Sequence, residues 1–334
     1  MSRTHDSIYK EIYTNYPMPY SFDPNKDLDE QRKAIREKYI ELLKMPEKNF
    51  KAKATIEWEK NDDERFDEIR FKIETEPDFF VPCHMLIPKG LKKGDKLPTV
   101  ICLQGHSTGM HISLGRPIYE SDVETISGGD RDFALQIVRE GYIAVAMEQR
   151  AFGELKTNRK GNMCHQYVYR ALMCGRTIQG DRIHDVMCLC DALEGFEQVD
   201  MDRLALMGNS GGGTTTYHAT ALEPRIKVCM PSCSFNTYAG CILLKNHCPC
   251  NYVPGIMEHM EMPDLAMLIA PRPLLIVNGE QDWGFPIETA RSAFEIVKKI
   301  YEKAGAPDNC RHIIGPEGHR FYANISWPVF KEFI

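Results

Sequence analysis

Ser210 stands in Gly208-Asn209-Ser210-Gly211-Gly212, just after the apolar run "RLALM" and just before "GGTTTYHATAL". A serine hydroxyl is a weak nucleophile until a base takes its proton and a third group orients that base. The G-x-S-x-G spacing suits the rest of the task. Glycines two residues to either side let a strand turn sharply into a helix, so the hydroxyl stands clear and the next amide faces a substrate. Taken alone, the motif also fits a flexible, glycine-rich helix start. A base and an acid elsewhere in the chain decide between the two.

Asp282 follows the run "PLLIVNG" in "NGEQDWGFP", and His319 follows "CRHIIGP" in "GPEGHRF". Both fall at the carboxyl ends of expected strands, as Ser210 does, and in the order serine, acid, histidine. Each has a plainer reading: Asp282 as the cap of a helix starting near Ile287, His319 as an ordinary loop histidine. The shared order favours Ser210, Asp282 and His319 acting together. His312 lies inside its strand, where its side chain should meet packed helices. Glu280 is still at the strand end, and Glu317 comes from no separate strand. The oxyanion formed in acyl transfer needs two donors. The amide of Gly211 is one, and the amide of His106 in "QGHSTG" is the expected second, with Gly105 allowing close approach.

These residues need elements to hold them. Residues 26–45 carry an amphipathic pattern with Leu28, Ile35, Tyr39 and Leu42 near one face, which predicts a helix. From about 51 to 88 the alternations "ATIEWE", "EIRFKIET" and "VPCHMLIP" predict an antiparallel hairpin or meander. After "PKGLKKGDK", short unbroken apolar runs alternate with helical stretches, the mark of a mostly parallel sheet with helices on both faces. In such sheets ligands bind beyond the carboxyl ends of the strands. Three irregular stretches, 107–129, 151–176 and 232–262, each follow an expected strand and predict lid-like insertions over that edge. The organisation expected is one α/β domain over 1–334: an N-terminal helix and antiparallel strands in 1–90, then a catalytic core in 91–334.

The chain has 334 residues, 43% hydrophobic and 26% charged, with a net charge of −6. Charges of both signs are interspersed, so no basic face for nucleic acid is implied. The N-terminus lacks the apolar core of about 7–15 residues that a secretory signal needs. No uncharged apolar run approaches the roughly 18 residues of a membrane span. Of the twelve cysteines, several (Cys102, Cys188, Cys190, Cys229) lie in apolar segments, which suits thiols in a reducing cytoplasm. No membrane or nucleic-acid partner is expected, and the oligomeric state, monomer or homo-oligomer, is left open.

On these motifs the chain resembles an α/β-hydrolase of the acetyl xylan esterase and dienelactone hydrolase group. The resemblance rests on "LQGHSTG", "EQRAFGE", "GRTIQGDRIHDVMCLCDALEGFEQVDMDRLALMGNSGGG", "HCPCNYVPGI", "MPDLAMLIAPRPLLIVNGEQDWGFP" and "GPEGHRF", together spanning roughly residues 100–320. It implies a Ser210–Asp282–His319 triad, no cofactor, and deacetylation of a small ester substrate such as an acetylated sugar. Glucuronoyl esterases, relatives by fold, carry an arginine after the serine in G-x-S-R-x-G; Gly211 stands there instead, which argues against their chemistry. Peptidases and aminoacyl esterases of the prolyl-oligopeptidase type share the fold and triad order, but residues 1–90 are too short for their gating domain. A catalytically idle binding module, or a thiol or metal protein, are alternatives of another class.

Four further residues are candidates for the substrate pocket. Arg150, at the expected active edge, either forms an ion pair that shapes the lid or contacts substrate, with the ion pair favoured. Trp283 and Phe285 could stack on a sugar or pack in the core or lid. His247 opens "HCPC" (247–250). A structural zinc takes four ligands, usually from two paired knuckles. No second pair is visible, so no metal is expected, and the stretch is read as a substrate-side loop.

Overall fold

In the computed structural model of the chain, residues 4–157 and 163–334 are described; residues 158–162, part of the 151–176 stretch, lie outside the described residues. The strands are β1 (Ala54–Lys60), β2 (Phe66–Glu76), β3 (Phe79–Pro88), β4 (Leu97–Leu103), β5 (Ile143–Met147), β6 (Val199–Asn209), β7 (Val228–Ser232), β8 (Leu274–Gly279) and β9 (Cys310–Gly315). The helices are α1 (His5–Thr14), α2 (Leu28–Leu43), α3 (Glu120–Ser127), α4 (Phe133–Arg139), α5 (Cys164–Met173), α6 (Ile178–Leu193), α7 (Gly211–Leu222), α8 (Ala266–Ile269), α9 (Ile287–Lys303) and α10 (Ala323–Phe330).

All nine strands form one sheet in the order β1-β2-β3-β5-β4-β6-β7-β8-β9. β1, β2 and β3 pair antiparallel, β3 joins β5 antiparallel, and from β5 to β9 every pairing is parallel. β4, β5, β7, β8 and the second half of β6 are buried because both faces are covered, while the edge strand β9 is only partly so. Successive residues alternate between two cores. Ile101, Leu103, Val145, Met147, Leu204 and Leu206 pack into one with Val186 of α6, Tyr217 of α7 and Val297 of α9. Val100, Cys102, Ala144, Ala146, Ala205 and Met207 pack into the other with Phe133 of α4 and Phe330 of α10. The expected mostly parallel sheet with helices on both faces is the fold observed.

The helix expected over 26–45 spans Leu28–Leu43, started by the Asp27 carboxylate, which accepts from the amides of Asp29 and Glu30. Leu43 rather than Leu42 completes its buried face, since positions 35, 39 and 43 repeat at four residues. The stretches 107–129 and 151–176 contain α3 and α5, while 232–262 is a chain of short helical turns. Among the described residues, no helix is long and apolar enough to cross a membrane.

Candidate active site

The crossing from β6 to α7 places Ser210 at φ 55°, ψ −123°, a region that a residue with a side chain occupies only under strain. The chain can make the turn because the next strand end is close and bare. A Cβ on Gly212 would lie 2.1 Å from the Leu103 carbonyl oxygen, and one on Gly105 would lie 2.9 Å from Ser210 Cβ. The turn is held by the Ser210 amide donating to Ser232 O at 2.8 Å and by Asn209 Nδ2 donating to Ser232 Oγ at 3.0 Å. Thr214 in the first turn of α7 donates to Asn251 Oδ1 at 2.8 Å, which ties the turn to the 232–262 stretch.

Asp282 and His319 come from the loops after β8 and β9. His319 Nδ1 and Asp282 Oδ2 are 2.7 Å apart. Asp282 is only 3% exposed, and its other oxygen accepts from the amides of Gly284 at 2.9 Å and Phe285 at 3.1 Å. Burial would raise its pKa, but the His319 bond and charge and these two amides outweigh it and hold the carboxyl below its ordinary value. Phe285 stacks on the His319 ring at 5.8 Å and 14°, and Arg131 Nη2 donates to the His319 carbonyl at 3.0 Å. The imidazole is therefore fixed on its face, at its Nδ1 and at its backbone. Among the described residues, no hydrogen bond joins the Ser210 hydroxyl to His319, a contact that commonly tightens only with substrate bound.

Gly211 is the first residue of α7, so its amide has no carbonyl partner within the helix. His106 follows β4 and Gly105 and packs its ring on Gly211; a Cβ there would come within 2.7 Å of His106 Cε1. Glu148, Gln149 and Gln104 brace this loop, a role with no motif to announce it. Gln149 Nε2 donates to Gln104 O at 2.7 Å, and Gln104 Nε2 and the Met110 amide donate to Glu148 Oε1 at 2.8 and 3.1 Å. Burial pushes Glu148 up to about 7 although the amides of Met110 and Glu154 oppose it.

The pocket candidates divide. Arg150 pairs with Asp185 at 2.8 and 2.7 Å and with Glu76 at 2.7 Å, and lies over the Phe79 ring. Phe285 is buried between His319 and His247, whose ring centroid is 4.8 Å away. Trp283, beside Asp282, is 76% exposed. His247 bonds Cys241 Sγ at 3.3 Å, and burial lowers its pKa. His312 bonds Asn278 Oδ1 at 3.0 Å and packs on Phe294. Glu280 and Glu317 pair with Arg291 and Arg320.

Two groups of metal-ligating atoms converge here. Cys233, Asp282 and His319 lie within 4.8 Å of one another, and two of these three are the bonded Asp282–His319 pair. The other group is His106, Cys164, Cys248 and Cys250, also within 4.8 Å. Cys248 and Cys250 belong to "HCPC". The remaining two come from segments far apart in sequence, which no local spacing reveals, and His247 of the motif is not among the four. No disulfide joins any of the twelve cysteines.

The sheet order and the strained passage from β6 into α7 define an α/β-hydrolase fold. The chain belongs to the Abhydrolase family, whose match covers residues 5–224 and so includes Ser210. A Bacillus subtilis (strain 168) protein named as a hydrolase, YtaP, is 29% identical over 245 residues, covering 71% of this chain and 77% of its own. A Bacteroides fragilis NCTC 9343 protein named as an acetyl xylan esterase superimposes with TM-score 0.79 at 19% identity, covering 94% of this chain and 83% of that one. Acetyl xylan esterase from Paenibacillus sp. R4 gives 0.63 at 16% (97% and 98% covered), and a glucuronoyl esterase from Solibacter usitatus gives 0.68 at 15% (96% and 98% covered). At these identities the likeness is one of fold.

Proposed function

We propose that the protein is a serine carboxylesterase that removes short acyl groups, acetyl foremost, from small carbohydrates in the cytoplasm. The observation that carries this reading is the Asp282–His319 pair at 2.7 Å on the strand edge that also carries the strained Ser210. Fold relatives named acetyl xylan esterases support the choice of acetyl.

In the reaction, His319 Nε2 takes the Ser210 proton as the serine oxygen attacks the ester carbonyl. Asp282 keeps the His319 proton on Nδ1 and stabilises the imidazolium. The amides of Gly211 and His106 receive the developing oxyanion. His319 then gives its proton to the leaving alcohol, and water activated by the same imidazole releases the acid. The chemistry calls for no cofactor.

A fluorophosphonate probe should label Ser210, located by peptide mass spectrometry, and kcat/KM on p-nitrophenyl esters should fall steeply from acetate to octanoate. Each methylene left unburied forgoes about 0.8 kcal/mol. Labelling elsewhere would remove the nucleophile assignment. A profile rising with chain length would replace the carbohydrate deacetylase by a lipid esterase.

A further inference from the structure

The His106 ring that packs on Gly211 also brings its Nε2 to a cluster of thiols. It lies 3.1 Å from Cys250 Sγ, and Cys250 Sγ lies 3.4 Å from Cys248 Sγ. Cys164, the first residue of α5, completes the group, and all four ligand atoms lie within 4.8 Å of one another. A tetrahedral zinc with Zn–S about 2.3 Å and Zn–N about 2.0 Å holds its ligand atoms about 3.5–3.8 Å apart. The cluster is at that scale and needs only small adjustments.

Arg182 is a second, independent pointer. It is 1% exposed. Its Nη2 donates to Arg150 O at 2.8 Å and to Cys164 Sγ at 3.4 Å, while its Nη1 is buried with no hydrogen-bond partner among the described residues. No carboxylate pairs with it among the described residues. A buried cation is costly without a buried anion beside it. Three neutral thiols offer none. Three thiolates on a divalent ion sum to one negative charge, which matches one guanidinium. Apolar groups surround the buried side of the cluster: Phe152 packs against both His106 and Arg182, with Ala151, Met163, Val168 and Ile178 beside it, while His106 and Cys248 are half-buried.

We propose that His106, Cys164, Cys248 and Cys250 bind one zinc ion in a closed structural site. Binding forms three Zn–S bonds and one Zn–N bond, releases three thiol protons to solvent, and uses the lone pair of neutral His106 at Nε2. No electron is transferred. Four protein ligands leave no open position, so the ion activates no water. It joins the loop after β4, α5 and the 232–262 stretch, and so fixes the loop that packs against Gly211. The site does not depend on the esterase reading, and metal content is measured apart from ester hydrolysis.

The full chain, grown with zinc and purified under reducing conditions without chelator, should carry about one zinc per chain by elemental analysis. X-ray absorption should give three sulfurs at about 2.3 Å and one nitrogen at about 2.0 Å. Cobalt exchanged into the wild-type protein should show thiolate-to-cobalt charge-transfer bands. Cys250→Ser and Cys164→Ser should bring zinc below about a tenth of an equivalent, while Cys174→Ser, at an exposed cysteine, should leave it unchanged. If a ligand variant fails to fold, the wild-type cobalt spectrum decides. Sub-stoichiometric zinc together with no cobalt–thiolate band, or a disulfide among Cys164, Cys248 and Cys250 in the natively purified protein, would overturn the site.

Discussion

Two clusters flank the turn at Ser210, and they are completed differently. On one side, Asp282 and His319 satisfy each other: the carboxylate takes two amides and the imidazole, and Phe285 and Arg131 hold the ring. Nothing further is required for that pair to be stable as charged or polar groups. On the other side, His106 and three thiols meet a guanidinium that has no carboxylate among the described residues. That side balances only if the sulfurs carry charge. A site whose donors and acceptors already match can act by itself, whereas buried thiols around a guanidinium with no carboxylate call for ionised sulfurs, which the zinc proposed above would supply.

The largest effect should come from Ser210→Ala. If the three residues act as a unit, ester turnover should fall on the order of 10⁵–10⁶-fold, with zinc content unchanged. Loss of zinc along with activity would mean that the two clusters fold as one unit, and the contrast between them would fail. Asp282→Asn should leave the fold intact and lower kcat by about 10⁴, because an amide at that position favours the wrong imidazole tautomer. Near-normal turnover in that variant would transfer the orienting role to another acid.

A smaller effect is expected beneath both clusters, at Glu148. Its pKa in the folded protein is about 7, raised by burial from the ordinary 4.5, so between these values the folded state holds the proton more tightly than the unfolded chain. Stability through this group therefore falls as pH rises from about 4.5 to about 7, and the cost is complete above that. Glu148→Gln removes the cost. Gln104 Oε1, now buried without a partner, can accept from the new amide once the Gln104 side chain turns over. The variant should be more stable than the wild type at pH 8, on the order of 2 kcal/mol, with the advantage shrinking toward pH 5 in thermal melts. An equal Tm difference at both pH values would show that Glu148 does not ionise in this range.

The sheet was legible because its strands are short, unbroken apolar runs, and both cores draw on alternate residues of the same runs. Ser210, Asp282 and His319 were legible because each is tied to a strand end, so chain order and strand pattern place them on one edge. Arg150 was only half legible. Its position at the end of β5 was clear, but its carboxylate partners come from β2 and α6. Arg131, Glu148 and Phe285 hold the site through contacts that no spacing encodes.

The sequence by itself determined the fold class, the strained serine turn and the order of the residues that follow it, since these depend on local backbone preference and on hydrophobic period. Only the tertiary structure decided that His106 and Cys164 lie beside Cys248 and Cys250, and that Arg182 is buried against them. Those neighbours are as many as 144 residues apart, and their meeting depends on how the loop after β4, the start of α5, α6 and the 232–262 stretch pack together.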